Sequence, residues 1–157
     1  MKFKIVKDEG LLRKKCISAV DLEAAISLGE SMLAYLDDHT SGVGLAANQI
    51  GADDRVCVIK VDKPLILVNP MIVNKFKKIS FQEGCLSFPG DTVVTERYAN
   101  IQVTADNYSE PLYFSEDNIL ETVCVQHEID HLDGILMHDR KIDLDKDDKS
   151  SYDNGIF

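Results

Sequence analysis

Residues 126–134 read Gln126-His127-Glu128-Ile129-Asp130-His131-Leu132-Asp133-Gly134 and contain the spacing His-Glu-x-x-His. Histidines four positions apart are displaced by roughly 40° around an α-helix, so both imidazoles can point at one metal ion with Glu128 beside them. Two neutral imidazoles leave coordination positions open, and a neighbouring carboxylate can accept a proton from water there. The spacing indicates metal-assisted hydrolysis. An amphipathic helix that carries these residues by chance is the alternative, and a third ligand would decide between the two.

The sequence after this stretch offers no suitable third ligand. The metzincin protease pattern places a histidine three residues after the glycine, where this chain has Met137, and His138 is one residue late. A glutamate from a later helix also fits poorly, because positions 139–157 contain no Glu. We therefore look for the third ligand upstream.

The upstream stretch Gln82-Glu83-Gly84-Cys85-Leu86-Ser87-Phe88-Pro89-Gly90 contains a cysteine. A thiolate is a strong charge donor to a divalent metal, and Gly84 allows the backbone to approach closely. The backbone N–H of Leu86 would then lie next to the metal. A single cysteine in a short apolar run is usually just buried, so packing is the alternative to a ligand role for Cys85.

A third stretch, Gly42-Val43-Gly44-Leu45-Ala46-Ala47-Asn48-Gln49-Ile50-Gly51, is a glycine loop. It fits a relaxed dinucleotide-binding fingerprint, but that motif follows a strand. Here a helical pattern precedes it, beginning after a capping residue at Asp21 and leaving through residues 37–41. Dinucleotide binding is therefore not predicted, and a simple turn is the alternative when the stretch is considered alone.

Together and in this order, the three stretches resemble peptide deformylase. The matching blocks are Gly-x-Gly-Leu-Ala-Ala-x-Gln, Glu-Gly-Cys-Leu-Ser and Gln-His-Glu-x-Asp-His, and the resemblance extends over about residues 3–138. It implies a catalytic domain at residues 1–138 that hydrolyses the N-formyl group of N-formylmethionyl peptides of newly made proteins and releases formate. A zinc endopeptidase with the same helix motif and a non-catalytic peptide-binding relative are the alternatives.

The resemblance implies a metal centre. Cys85, His127 and His131 would hold one divalent ion. Such a donor set accepts Fe(II), Co(II), Ni(II) and Zn(II). Family members typically use ferrous iron, so we expect Fe(II) natively and zinc, nickel or cobalt in purified protein.

The resemblance also implies roles around the metal. Glu128 would act first as general base and then as general acid. The Gln49 amide and the Leu86 backbone N–H would stabilise the charge that develops on the formyl oxygen. Gly44 would let the substrate backbone lie alongside the glycine loop as an added strand.

Two further groups of residues support this site. Leu120 and Val123 precede His127 by seven and four residues, hence lie on its face of the helix, and with Gly42 they are our candidates for the methionine pocket. Ordinary core packing is the alternative for both helix residues. Glu83 and Asp130 are expected to orient a ligand imidazole or to tie down a loop.

The remaining pattern predicts an α+β fold, with antiparallel β-sheets packed around a central metal-binding helix. That helix should begin near Ser115 and end near Gly134. Apolar and β-branched runs predict the strands. These are residues 55–61, 65–68, 75–81, 92–98, 101–105 and 112–114.

Composition narrows the possible partners and compartment. The 157 residues carry a net charge of −10, which argues against gripping nucleic acid through a basic patch, and no apolar run approaches membrane length. Four cysteines without a C-x-x-C pair, and an N-terminus without an apolar signal region, predict a reducing cytoplasm. The resemblance implies a bacterial cytoplasm, or a host-cell cytoplasm if a phage encodes the protein, and the sequence does not choose between a bacterium, a phage and an organelle as its source. We expect a monomer.

Residues 139–157 should form a short, loose acidic tail, because they contain six Asp and four Lys or Arg. Many bacterial members of the resembled family continue into a longer C-terminal helix. Without such a helix the sequence does not decide whether the protein contacts the ribosome.

Overall fold

The protein is described by a computed structural model that covers residues 3–145 and 147–157. Met1, Lys2 and Lys146, which fall in the predicted domain and tail, lie outside the described residues. The helices are α1 (Glu9–Leu12), α2 (Leu22–His39) and α3 (Ile119–Leu132). The strands are β1 (Gly44–Ala46), β2 (Val56–Lys60), β3 (Pro64–Val68), β4 (Met71–Cys85), β5 (Phe88–Thr104), β6 (Leu112–Phe114) and β7 (Asn154–Ile156).

The strands form two sheets, and α3 packs against both. One sheet has the order β1-β2-β3 and the other the order β6-β5-β4-β7. All neighbouring strands are antiparallel except β7, which is parallel to β4. Every residue of α3 from Thr122 to Leu132 is buried, and the helix contacts β1, β2 and β5. The predicted α+β fold with antiparallel sheets is confirmed.

Helix α2 covers the outer face of the β1-β2-β3 sheet with a second apolar cluster that includes Met32 and Leu36. The Asp21 side chain caps the helix as predicted, accepting a hydrogen bond of 3.0 Å from the Ala24 N–H. The helix continues to His39, so the expected exit at residue 37 is wrong. Its last turn is held by the His39 ring, which stacks on Tyr35 at 4.8 Å. Among the described residues, no helix is long and apolar enough to cross a membrane.

Helix α3 begins later than predicted and ends where predicted. Ser115 caps only a short 3₁₀ turn, and the Asn118 side chain caps the α-helix by accepting from the Glu121 N–H. At the other end, the N–H of Ile135 donates to the Asp130 carbonyl, and Gly134 has a positive φ of 74°. This is a Schellman ending, which needs a left-handed residue at the glycine position.

Two predicted strand boundaries are wrong in an informative way. The strands predicted at 92–98 and 101–105 are one strand, β5, which ends at Thr104, because inward and outward residues keep alternating through Ala99 and Asn100 with no turn residue between them. Strand β4 runs beyond residue 81 to Cys85, so the cysteine lies at the end of a paired strand.

The prediction of a loose tail is wrong for its far end. Residues 154–156 form β7, which pairs with residues 82–84 of β4. Phe157 is fully buried and its ring stacks on Phe81 at 5.8 Å between centroids. The charged residues of positions 139–153 predicted a solvated tail, but the residues after them pair with β4 and bury Phe157 in the core.

Gly134 and Gly51 provide a matched pair of substitutions that tests how tightly the end of α3 is held. Both have a left-handed backbone, but a Cβ at Gly134 would collide with the Arg13 carbonyl, whereas nothing lies within 4 Å of a Cβ at Gly51. We expect Gly51→Ala to lower the free energy of unfolding by about 1–2 kcal/mol. Gly134→Ala should cost a further 1–3 kcal/mol or so, because the Arg13 backbone must shift. Urea denaturation measures both, and equal losses would contradict a rigid contact at Arg13.

Candidate active site

Three predicted ligands converge between β4 and α3. Cys85 comes from the end of β4, and His127 and His131 come from consecutive turns of α3. The His131 Nε2 atom lies 3.4 Å from the Cys85 Sγ atom and 3.2 Å from the His127 Nε2 atom. All three ligand atoms lie within 4.8 Å of one another. Three soft or borderline donors that face one point are the arrangement that a divalent transition metal requires.

Without a cation, the neutral imidazole of His131 suits a metal but the protonated thiol of Cys85 does not. Burial, reinforced by the charge of Glu128, raises the pKa of the Cys85 thiol to about 12. Burial and the neighbouring His127 lower the pKa of His131 well below its ordinary value, so this imidazole is neutral and can donate a lone pair. A bound cation reverses the thiol preference, because it stabilises the thiolate directly.

Glu83 fixes the orientation of His127. Its Oε1 atom lies 2.7 Å from His127 Nδ1, while Arg97 donates to the same carboxylate at 2.6 and 2.8 Å. Burial acts to raise the pKa of Glu83, but the charge and hydrogen bonds of Arg97 outweigh it and hold the pKa far below its ordinary value. An ionised carboxylate can only accept, so His127 Nδ1 carries the hydrogen and its Nε2 lone pair faces the ligand cluster.

Asp130 supports the site without contacting a ligand imidazole. It accepts hydrogen bonds of 2.5 Å from Arg97 and of 2.9 and 3.0 Å from Arg140. Arg140 lies in the 3₁₀ turn Met137–Arg140, so Asp130 ties this turn and β5 to α3.

Arg97 is the main functional residue that the sequence reasoning missed. It is 3% exposed and joins the two carboxylates of Glu83 and Asp130. One signal could have found it. The residues of β5 alternate between the two faces, which places Arg97 on the inner face together with Thr95 and Ala99. A charge on that face needs buried partners.

Glu128 lies in the same interior without a partner. Both of its carboxylate oxygens are buried and have no hydrogen-bond partner within the described chain. Burial, followed by the negative charge of Glu83, raises the pKa of Glu128 well above its ordinary value. A Cβ at Gly44 would collide with Glu128 Oε2 and lie 2.5 Å from the Cys124 Sγ atom. The structure thus gives a reason for Gly44 that the sequence did not, since the glycine lets β1 lie directly against α3.

The two predicted oxyanion donors have partners in the structure. Gln49 is fully buried, and its Oε1 accepts from the Ala46 N–H at 3.0 Å. Its Nε2 lies 3.1 Å from Ser87 Oγ and 3.6 Å from Cys85 Sγ, so the amide group is adjacent to a ligand. The Leu86 N–H donates to the Phe157 carbonyl oxygen at 2.8 Å.

The predicted methionine pocket is not open. Val123 is fully buried and Leu120 partly buried in the apolar cluster that also holds Phe157. A Cβ at Gly42 would lie 2.8 Å from a methyl group of Leu86. None of these three residues lines the cavity of about 310 Å³ that opens beside Cys85. Its lining is Ser41, Gly84, Cys85, Leu86, Phe88, Pro89, Gly90, Asp91, Thr92 and Ile156.

Removing Arg97 should be much more costly than removing Arg140, although both contact Asp130. Arg97→Met would leave the buried Glu83 carboxylate without its cation, and losing one partner of a buried pair costs about 3–5 kcal/mol. Arg140 is 42% exposed, so Arg140→Met should cost less than about 1 kcal/mol. Urea denaturation of the two variants side by side measures the difference. Similar losses would contradict the central position of Arg97.

Comparison with known proteins points to one family. The profile of the family described as Polypeptide deformylase matches residues 2–147. The peptide deformylase of Desulfitobacterium hafniense is 43% identical over 132 residues, which span 83% of this chain and 87% of that protein. The crystal structure of peptide deformylase from Thermotoga maritima is similar with a TM-score of 0.80 at 31% identity, covering 91% of this chain and 99% of that one. A Legionella pneumophila peptide deformylase structure has a TM-score of 0.78 at 34% identity, covering 90% of this chain and 87% of that one.

Proposed function

Since the chain belongs to the polypeptide deformylase family and removes the N-formyl group from N-formylmethionyl peptides, we propose that Glu128 is the general base of this reaction. The observation that carries the proposal is the position of a buried carboxylate without a partner on the same helix as His127 and His131. We assign catalysis to residues 1–138. The family assignment does not favour a zinc endopeptidase or a non-catalytic relative.

Peptide deformylases depend on a metal, and we propose that Cys85, His127 and His131 hold it. When bound, a divalent ion supplies Lewis acidity that polarises the formyl group and acidifies water. Two imidazoles and one thiolate accept Fe(II), Co(II), Ni(II) and Zn(II). By resemblance to the family we propose Fe(II) as the native ion, with zinc, nickel or cobalt as substitutes in purified protein.

Glu128 would move the proton in both halves of the reaction. It accepts a proton from the attacking water and then gives it to the departing amine of the peptide. A carboxylate exposed to water is a weak base for removing a proton from water. The raised pKa of Glu128 makes its carboxylate a stronger base. Its unpartnered oxygens leave it free to bond to water and substrate.

Gln49 and Leu86 would stabilise the developing oxyanion. The Gln49 Nε2 atom lies 3.6 Å from the Cys85 Sγ atom. Its hydrogen bond with Ala46 fixes the amide, so the donor group is held in place before the reaction begins. The Leu86 N–H becomes available to substrate only when its bond with Phe157 is broken.

The partners follow from this reaction. The protein acts on formylated nascent peptides. We propose that it works as a monomer in the cytoplasm, without membrane attachment. We also propose that it has no basic patch for nucleic acid, because its net charge is −10.

Glu128→Gln should keep the metal and the fold and slow formate release by at least 10²- to 10⁴-fold or so, the range typical of a general base. The assay measures anaerobic formate release from a formylmethionyl tripeptide, with metal content determined on the same sample. Glu121→Gln is the matched control, because Glu121 lies in the first turn of the same helix and has no proposed role in the reaction. Near-normal turnover of a metal-replete Glu128→Gln variant would refute the proposed base.

Gln49→Leu should lower kcat by about 10²- to 10³-fold, because it removes a donor directed at charge that exists only in the transition state. A purely structural role would instead lower the melting temperature and raise KM while kcat is largely kept. Ser87→Ala removes the hydroxyl partner of the Gln49 Nε2 group and serves as the control, so its kcat should stay close to that of the wild type. An unchanged kcat in Gln49→Leu would remove Gln49 from the mechanism.

A further inference from the structure

Residues 153–157, here called the 153–157 segment, lie between β4 and the glycine loop. On the β4 side, the Phe157 N–H donates to the Gly84 carbonyl at 3.0 Å and the Leu86 N–H donates to the Phe157 carbonyl at 2.8 Å. On the loop side, the Val43 N–H donates to the Ile156 carbonyl at 3.4 Å. The segment is therefore an added strand, and its backbone hydrogen bonds engage the residues immediately before and after Cys85, Gly84 and Leu86.

An extended peptide that binds next to the metal ligands needs these same backbone groups. Strand addition supplies affinity through main-chain hydrogen bonds to an open strand edge, and the part of the β4 edge next to Cys85 is the part where β7 now lies. The Leu86 N–H is also the donor that we assign to the oxyanion. Substrate and the 153–157 segment cannot use it at the same time.

The side chain of Phe157 occupies apolar space next to the ligands. Its ring centroid lies 5.1 Å from that of His127, and the residue is fully buried. Leu120 and Val123, our candidates for the methionine pocket, belong to the same apolar cluster. An unbranched apolar side chain of a substrate would compete with Phe157 for this volume.

The 153–157 segment is anchored mainly by one side chain. Strand β7 has three residues, and Asn154 and Ile156 are exposed, the latter by 51%. Phe157 is the buried apolar side chain of the segment. A strand with one buried anchor can be displaced at modest cost, because few apolar contacts are lost.

We propose that the 153–157 segment occupies the groove in which the formylated peptide binds, and that it is a built-in competitor which the substrate displaces. This inference rests on the proposed function for the identity of the substrate. The self-occupied form would lower the apparent affinity of the protein for peptide without altering the chemistry of the open form.

Gly155→Val tests the proposal without changing a ligand or a proposed catalytic residue. A Cβ at Gly155 would lie 2.5 Å from a methyl group of Leu120 and 3.1 Å from the Phe157 ring. Because valine adds two more methyl groups beyond its Cβ, it should push the Phe157 ring out of its place and shift the segment toward its displaced form. We expect KM for a formylmethionyl tripeptide to fall by about 10-fold at unchanged kcat, as for a site that is about 90% self-occupied. Asn154→Ala is the control, because this exposed side chain can be removed with the strand kept, and its KM should not change.

Two further measurements separate expulsion of the segment from simple damage. Hydrogen exchange at the Leu86 N–H should be faster in Gly155→Val than in the control. A synthetic peptide of sequence Asp-Asn-Gly-Ile-Phe should inhibit Gly155→Val competitively with the tripeptide. If the 153–157 segment has only a structural role, Gly155→Val should lower the stability and kcat of the protein and should not lower KM. That result, or faster exchange at Leu86 without a lower KM, would overturn the proposal.

Failure of the proposed function has a different signature. If neither the wild type nor Gly155→Val releases formate when loaded with metal, the assigned reaction is wrong. Titration of the metal-loaded proteins with the synthetic peptide still tests self-occupancy in that case. Tighter binding to Gly155→Val than to the wild type would support an occupied groove, and equal binding would contradict it.

Discussion

The ion pair between Arg97 and Glu83 is the interaction on which the rest of the site depends. It keeps a fully buried carboxylate ionised, and this carboxylate sets the tautomer of His127. Arg97 also bonds to Asp130, so one guanidinium connects β4, β5 and α3. Burying three charges costs desolvation energy that their mutual attraction only partly returns. The arrangement therefore makes more sense as a device that fixes the ligand geometry than as a source of stability.

Local sequence patterns were sufficient for the elements that carry the chemistry. Helical spacing placed His127 and His131 on one helix, and the resemblance of three short blocks brought Cys85 to them. Arg97 was missed because its role depends on partners 14 and 33 positions away, and no local pattern records such contacts. The same limit explains Gly44, whose need for a missing Cβ becomes visible only when β1 lies against α3.

The end of the chain shows how composition can mislead. Acidic residues dominate positions 139–153, and their charge suggested a solvated tail. Strand pairing and burial are decided residue by residue, however, and one aromatic residue in an apolar space can hold a short strand. Strand β7 covers an edge of β4 that would otherwise present unpaired backbone groups. An edge of this kind attracts extended peptides, which is a hazard in most proteins and the basis of the substrate binding that we propose here.

This dual nature of the β4 edge links the fold to catalysis. Exclusion of water raises the pKa of Glu128, which we propose as the general base, and this carboxyl group is buried because sheets and loops surround α3. Substrate must nevertheless reach the ligands from outside. The groove between β4 and the glycine loop is the place where both demands meet, because an added strand there excludes water as well as bringing a peptide to the site. In the proposed exchange, either the 153–157 segment or the substrate would fill the groove and keep water away from Glu128, and only the substrate would bring a bond to be cleaved.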